Sequence, residues 1–306
     1  MLNKIWDKNP KLLKDFLGQE DIVENLKITL KSAQKRKDVP DHILLCGPSG
    51  LGKSTLAEIL ANECKFYCHK TTGTKLSDKK EIYQLVDIIR IVPNLIIFID
   101  EIHRLGKKYA EILYSVMQDK SFYGEDLTNN YTIIGATTSE GKIVRPLRNR
   151  FKHIYSLDFY SKEEITLIVK SIIPNLSEEV SKEISIRSHG VPRIAKNLLT
   201  ELLNTAIANG HNTPNENDLG QTLTRLKLDN LGLRKIERKI LLHLLRSDRP
   251  IGETELCNIH ELEKEDLHII ETSLMRLSLI SKTSRGRIIT PLGINHILKF
   301  EIENAN

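Results

Sequence analysis

The residues Gly47-Pro48-Ser49-Gly50-Leu51-Gly52-Lys53-Ser54 fit the spacing G-x-x-x-x-G-K-[ST], and residue types in this order handle phosphate. Gly47, Gly50 and Gly52 let the backbone come close to an anion and adopt conformations closed to residues with side chains. Amides at the start of a following helix bind the charge. Lys53 is expected to reach the β- and γ-phosphates of a nucleoside triphosphate, and the Ser54 hydroxyl to ligate magnesium. Asp100 and Glu101 close the apolar run "NLIIFIDEIHRL". Asp100 suits the magnesium shell, and Glu101 suits polarisation of a water attacking the γ-phosphate. A helix cap would use one acid and would leave the apolar run before the pair unexplained. Thr138, at the end of "YTIIGATT", is placed to hold that water or the γ-phosphate, with simple β-propensity as the plain alternative. Beyond it, "RPLRNRF" sets Arg145, Arg148 and Arg150 in a segment without an acid. Such an arginine either supplies transition-state charge, often to a neighbouring subunit, or belongs to a solvated basic loop.

These groups cooperate only if the chain delivers them to one place. "DHILLC" reads as a short buried strand and "STLAEILANEC" as the helix after the loop, the strand–loop–helix context the motif needs. Leu95–Ile99 is near-continuous in Ile, Leu and Phe, the pattern of a parallel strand covered on both faces. Ligands bind at the carboxyl edge of such sheets, so an α/β nucleotide hydrolase core follows. With 306 residues, 40% hydrophobic and 28% charged, the chain is long enough for two or three packed domains. Its net charge of +5 permits nucleic-acid contact without requiring it. No apolar run approaches membrane-spanning length and the first residues lack an apolar secretory core, so a cytoplasmic protein without membrane contact is expected. Four cysteines in so long a chain do not make a disulfide framework, and Cys64, Cys68 and His69 read as ordinary side chains because no second ligand pair follows.

From Tyr160 the pattern turns helical. "SKEEITLIVKSII" carries a capping box in Ser161 and Glu164, and "SEEVSKEISIRSHG" stops at Gly190. "VPRIAKNLLTELLNTAIANG" starts with Pro192 in a first-turn position and stops at Gly210. Arg193 sits in that first turn, against the preference of the helix dipole, which suggests that it works on a phosphate across a domain cleft. From about Asp229, two amphipathic helices precede "ISKTSRGRIIT", whose β-prone arms flank Ser284-Arg285-Gly286: helices followed by a hairpin make a winged helix. Residues 229–306 carry 12 basic and 12 acidic side chains. Even so, Lys282, Arg285 and Arg287 gather on the hairpin without an intervening acid, a tip suited to a phosphate backbone, with a winged helix used for protein contact as the plain alternative.

With these residues in view, the chain resembles the RuvB family, bacterial AAA+ motors of Holliday junction branch migration. "DFLGQEDIVENLKI", "DHILLCGPSGLGKSTLAEILANE", "FIDEIHRL", "TIIGATT", "PLRNRF", "GVPRIAKNLL" and "TSRGRIIT" fall in family order. The resemblance implies that Phe16 and Leu17 contact adenine and that Thr138 is sensor 1 and Arg193 sensor 2. It implies further that Arg148 is the favoured arginine finger with Arg150 second, and that Arg285 and Arg287 are DNA contacts. The chain also departs from the family. Ser49 stands where proline is usual, "TSRGR" replaces "TPRGR", and the step before the last helices is reduced to "SDRPIG". Between Asp119 and Tyr131 only "KSFYGEDLTNN" remains of a longer hairpin that docks the partner RuvA. Its centre, Gly124-Glu125-Asp126, is polar, and Phe122 and Tyr123 are close enough to the strand base to pack on the core.

The expected architecture is thus an AAA+ P-loop core with a parallel sheet (1–158), a helical lid (159–228) and a winged helix (229–306). ATP and Mg2+ are the expected ligands, held by Gly47, Pro48, Gly50, Leu51, Gly52, Lys53, Ser54 and Thr55 with Asp100 and Arg193, between core and lid. The expected function is DNA translocation by a ring, a hexamer, on branched DNA without ordinary RuvA docking. An initiator-type AAA+ switch is the alternative.

Overall fold

The computed structural model describes residues 9–305. The chain divides into two compact units: residues through Ile168 together with Val191–Arg193, and Val169–Gly190 together with Ile194 onward.

The first unit is built on a five-stranded sheet. Its elements in chain order are α1 (Glu20–Arg36), β1 (Ile43–Cys46), α2 (Lys53–Cys64), β2 (Tyr67–Thr72), α3 (Lys79–Ile91), β3 (Leu95–Asp100), α4 (Lys107–Asp119), β4 (Ser121–Phe122), β5 (Glu125–Asp126), β6 (Tyr131–Thr137), α5 (Arg145–Arg148) and β7 (His153–Ser156). The sheet order is β2-β3-β6-β1-β7, and every pairing is parallel. The apolar runs read from the sequence are the central strands β1, β3 and β6. Every residue of β1 and β6 is buried, as is β3 up to Ile99. Strands so covered need helices on both faces. On one face Leu44, Ile97 and Ile133 pack with Leu85 of α3 and Leu113 of α4 in a single apolar cluster. Gly135 sits mid-strand because a Cβ there would stand 3.0 Å from the Phe151 ring and 3.1 Å from Leu44.

The shortened segment forms the two-residue strands β4 and β5, joined through Tyr123 and Gly124 at φ 49° and 85°. Positive φ at both central residues is the hairpin turn that matches strand twist, and it falls on Tyr123 and Gly124. Phe122 is 6% exposed and belongs to the core, whereas Tyr123 is 68% exposed. Helix α6 (Lys162–Ile172) begins with the expected capping box: the Glu164 amide donates to Ser161 Oγ at 3.1 Å and the Ser161 amide to Glu164 Oε2 at 2.7 Å.

The second unit holds α7 (Glu178–Arg187), α8 (Pro192–Ala208, whose first two residues belong to the first unit) and α9 (Glu216–Leu226). It continues with α10 (Lys235–Leu245), α11 (Glu253–His260), α12 (Lys264–Arg276), the hairpin β8 (Ile280–Thr283) and β9 (Gly286–Ile289), and α13 (Pro291–Ala305). Leu241, Leu256, Leu274, Ile280 and Ile297 form the core of α10–α13 and the hairpin, a winged helix as expected. Ile251 adds a bridge to Arg287, with backbone bonds of 3.0 and 2.8 Å in both directions. Gly286, at φ 144°, permits this approach: a Cβ there would lie 2.4 Å from the Ile251 carbonyl oxygen. No helix among the described residues is long and apolar enough to cross a membrane.

Candidate functional site

Because β6 lies between β1 and β3, their carboxyl ends are neighbours, and everything that follows those three strands converges on one edge. The loop after β1 is tied to β6 at once: the Gly47 amide donates to the Thr137 carbonyl at 3.1 Å. Gly52, at φ 107°, turns the loop into α2, so Lys53 opens that helix. The Lys53 side chain is buried beneath the loop, its ammonium donating to the carbonyls of Gly47 (2.6 Å) and Pro48 (2.8 Å). Burial depresses the Lys53 pKa, and the nearby charges of Asp100 and Glu101 oppose that shift. Ser54 and Thr55 follow in the first turn of α2.

The carboxylates arrive at the end of β3. Asp100 Oδ1 accepts the Glu101 amide at 2.9 Å, which orients the carboxyl group. Glu101 has left-handed backbone angles (φ 48°, ψ 43°), so the chain reverses there and projects the side chain off the strand end. Thr138 follows β6, and its hydroxyl donates to Glu101 Oε2 at 3.4 Å. Lys53, Asp100, Glu101 and Thr138 thus come together as the motif spacing predicts. Arg193 joins them within the first unit. Its amide donates to the Gly50 carbonyl at 3.3 Å and its Nη1 to Ser49 Oγ at 2.9 Å, a bond that proline at position 49 could not accept. Phe16 lies against the loop, since a Cβ on Gly52 would sit 3.1 Å from its ring; Leu17, next to it, is half-buried. The Tyr160 hydroxyl donates to the carbonyl of buried Leu51 at 3.1 Å.

The two candidate fingers differ. Arg148 Nε donates to Glu140 Oε1 at 2.7 Å and Nη2 to the same oxygen, and this pairing holds the Glu140 carboxyl below the usual carboxylate range. Arg150 has no acid partner among the described residues: Nη2 donates to the Tyr114 hydroxyl at 3.0 Å, the guanidinium lies 4.7 Å from that ring, and the buried Nε has no hydrogen-bond partner. Arg148 is thus neutralised by an acid of its own chain, and Arg150 is not. Sequence spacing missed Glu140, which lies outside the "RPLRNRF" segment.

Sequence reasoning also missed His103. Its ring is 8% exposed, with Nε2 3.2 Å from Glu101 Oε2 and Nδ1 2.9 Å from Thr137 Oγ1. The signal was available in "DEIHRL", a histidine two residues after the acid on a single helical turn.

On the wing, Lys282, Ser284 and Arg285 are exposed, as the basic tip requires. Arg287 is a correction. It pairs with Lys282 across the hairpin, yet its side chain is buried, donating to Glu271 at 2.9 Å and to Glu253 at 3.1 Å. Alternation turns Ile288 outward and Arg287 inward, and there the guanidinium answers the buried Glu271 rather than a phosphate. Arg287→Ala is expected to cost about 3–5 kcal/mol of stability, because it strands a buried carboxylate. Arg285→Ala should leave stability unchanged, weaken DNA binding about equally across sequences and reduce the salt slope by about one. Thermal melts and salt-dependent DNA titrations of the two variants check both statements.

A family model described as the Holliday junction DNA helicase RuvB P-loop domain matches residues 8–157, and one described as the RuvB C-terminal winged helix domain matches residues 230–298. The Holliday junction branch migration complex subunit RuvB of Ehrlichia ruminantium (strain Gardel) is 38% identical over 308 residues, covering 94% of this chain and 91% of that protein. The structure of the Thermotoga maritima RuvB Holliday junction branch migration motor superposes with a TM-score of 0.83 at 33% identity, covering 94% of this chain and 97% of that one. The Aeropyrum pernix ORC2 protein, at 14% identity and a TM-score of 0.56, shares the fold alone.

Proposed function

This chain belongs to the RuvB family, and from that membership and the loop geometry we propose that it hydrolyses ATP to drive branch migration of four-way DNA junctions. The observation that carries the reading is the convergence of Lys53, Asp100, Glu101 and Thr138 at the adjacent ends of β1, β3 and β6. Lys53 holds the β- and γ-phosphates against the loop amides, exchanging its carbonyl partners for phosphate oxygens. Glu101 accepts a proton from the water that attacks the γ-phosphorus, the bond to the bridging oxygen breaks, and ADP leaves with that oxygen. Thr138 orients the water, and Arg193 contacts the phosphates beside Ser49. Phe16 and Leu17 flank the base.

Ser54 and Asp100 provide a hydroxyl and a carboxylate, oxygen donors that suit Mg2+. No cluster of three His, Cys, Asp or Glu side chains able to hold a metal occurs among the described residues. Bound at Ser54 and Asp100, Mg2+ would neutralise charge on the transferring phosphoryl group.

Arg150 is the finger offered to the next subunit of a ring, a hexamer, while Arg148 braces the loop through Glu140. We divide the chain into core (1–158), lid (159–228) and wing (229–306), and the matches at residues 8–157 and 230–298 support the first and the last. Lys282 and Arg285 hold the DNA backbone. The hairpin β4–β5 does not dock RuvA tightly, because burial of Phe122 leaves Tyr123 as the one apolar side chain at its tip. Titration with RuvA from the same organism, without DNA, should give weak binding; sub-micromolar affinity lost on Tyr123→Ala would overturn that expectation. The function itself is tested by ATP turnover with and without a synthetic four-way junction, beside native mass measurement. Stimulation by the junction and a ring mass support the proposal.

A further inference from the structure

Three donors reach the same oxygen of Glu101. Thr138 Oγ1 lies 3.4 Å from Oε2, His103 Nε2 3.2 Å, and Arg104 Nε 3.9 Å. For each of the three the recorded approach is to Oε2 rather than Oε1.

The histidine contact fixes its own tautomer. A carboxylate oxygen only accepts, so Nε2, which faces it at 3.2 Å, is the nitrogen that carries the proton. Burial lowers the His103 pKa and so favours the neutral ring, in which Nδ1 is an acceptor. Thr137 Oγ1 must then donate to Nδ1, 2.9 Å away, and it is free to do so because it accepts from the Ser139 amide at 2.9 Å. Bonds run from Ser139 N–H to Thr137 and from Thr137 O–H to His103, and His103 Nε2 faces Glu101 Oε2 at 3.2 Å. Thr138 lies between two of its members in sequence and touches Glu101 directly. The loop that reads the γ-phosphate and the carboxylate that activates water are therefore joined twice.

We propose that His103 is a positioning residue for ATP hydrolysis: it holds Glu101 by Oε2, aims Oε1 at the attacking water, and couples that aim to the end of β6. The proposal rests on the reading of Glu101 as the base. A carboxylate displaced by an ångström loses about a hundredfold in rate while ground-state phosphate contacts stay intact.

The test compares kcat and KM for ATP in His103→Ala, His103→Gln and Thr137→Val, each alone and combined with Glu101→Gln, with nucleotide binding followed by a fluorescent ATP analogue. His103→Ala is expected to lower kcat about tenfold to a hundredfold with KM and analogue affinity within twofold. Glutamine, which keeps a donor at the same reach, should restore much of the loss, and Thr137→Val should reproduce part of it. In the Glu101→Gln background none of these changes should lower the residual rate further. If Glu101→Gln itself turns over normally, the reading of Glu101 fails. If Glu101→Gln is dead while His103→Ala keeps wild-type kcat, or the losses multiply in the double variant, the inference about His103 alone is overturned. Should His103→Ala fail to fold, His103→Gln with Thr137→Val decides: folded Thr137→Val with full kcat refutes the relay.

Discussion

Glu101→Gln is expected to bind ATP with near-normal affinity and hydrolyse it about 10²- to 10⁴-fold more slowly, the range of a lost general base. The amide keeps the shape of the carboxylate and leaves Asp100, whose Oδ1 is oriented by the residue 101 amide, in place. What it loses is the charge that draws a proton from water. Lys53→Ala should fail in the opposite way. The buried ammonium that donates to Gly47 and Pro48 is the loop's own cation, so its removal lowers nucleotide affinity before it affects chemistry. Equilibrium binding and single-turnover hydrolysis separate the two. Normal turnover by Glu101→Gln would remove Glu101 from the site, and unchanged affinity in Lys53→Ala would remove the loop.

Arg150→Ala is expected to be inactive alone and partly rescued when mixed with Glu101→Gln. If the finger acts between subunits, an Arg150→Ala protomer still has its own Lys53 and Glu101 and fires when a Glu101→Gln neighbour lends its arginine. Loss of such an arginine costs about 10³- to 10⁵-fold, so rescue in mixed rings would stand far above either parent. Arg148→Ala, in contrast, should leave Glu140 without its cation and act through loop stability, with no rescue on mixing. The opposite pattern, rescue of Arg148→Ala only, would restore Arg148 as the finger.

Much of the site was legible in the sequence because local rules placed it. Apolar runs identified β1, β3 and β6, and the motifs sit where these strands end, so a parallel sheet was enough to bring Lys53, Asp100, Glu101 and Thr138 together. The capping box at Ser161 and the wing hairpin were equally local. What stayed hidden depended on partners far along the chain. Arg287 looks like its neighbour Arg285 until Glu271 and Glu253, 16 and 34 residues away, are seen to enclose it. The acid that pairs with Arg148 is hidden in the sequence because Glu140 lies outside the basic segment. His103 acquires meaning only from Thr137, which is 34 residues distant and reaches it through sheet order rather than sequence. The turn of the short hairpin falls on Tyr123 and Gly124, and a tyrosine at positive φ is not something local preference announces.

The most direct test of the motor is a synthetic four-way junction with mobile arms, incubated with the purified chain and ATP, and scored for conversion to duplex products. The proposal predicts that products accumulate over many ATP turnovers, that conversion stops with Glu101→Gln and that it falls with Arg285→Ala. Nucleotide held for minutes after a single turnover, with DNA bound and no junction converted, would contradict it and point to an initiator-type switch.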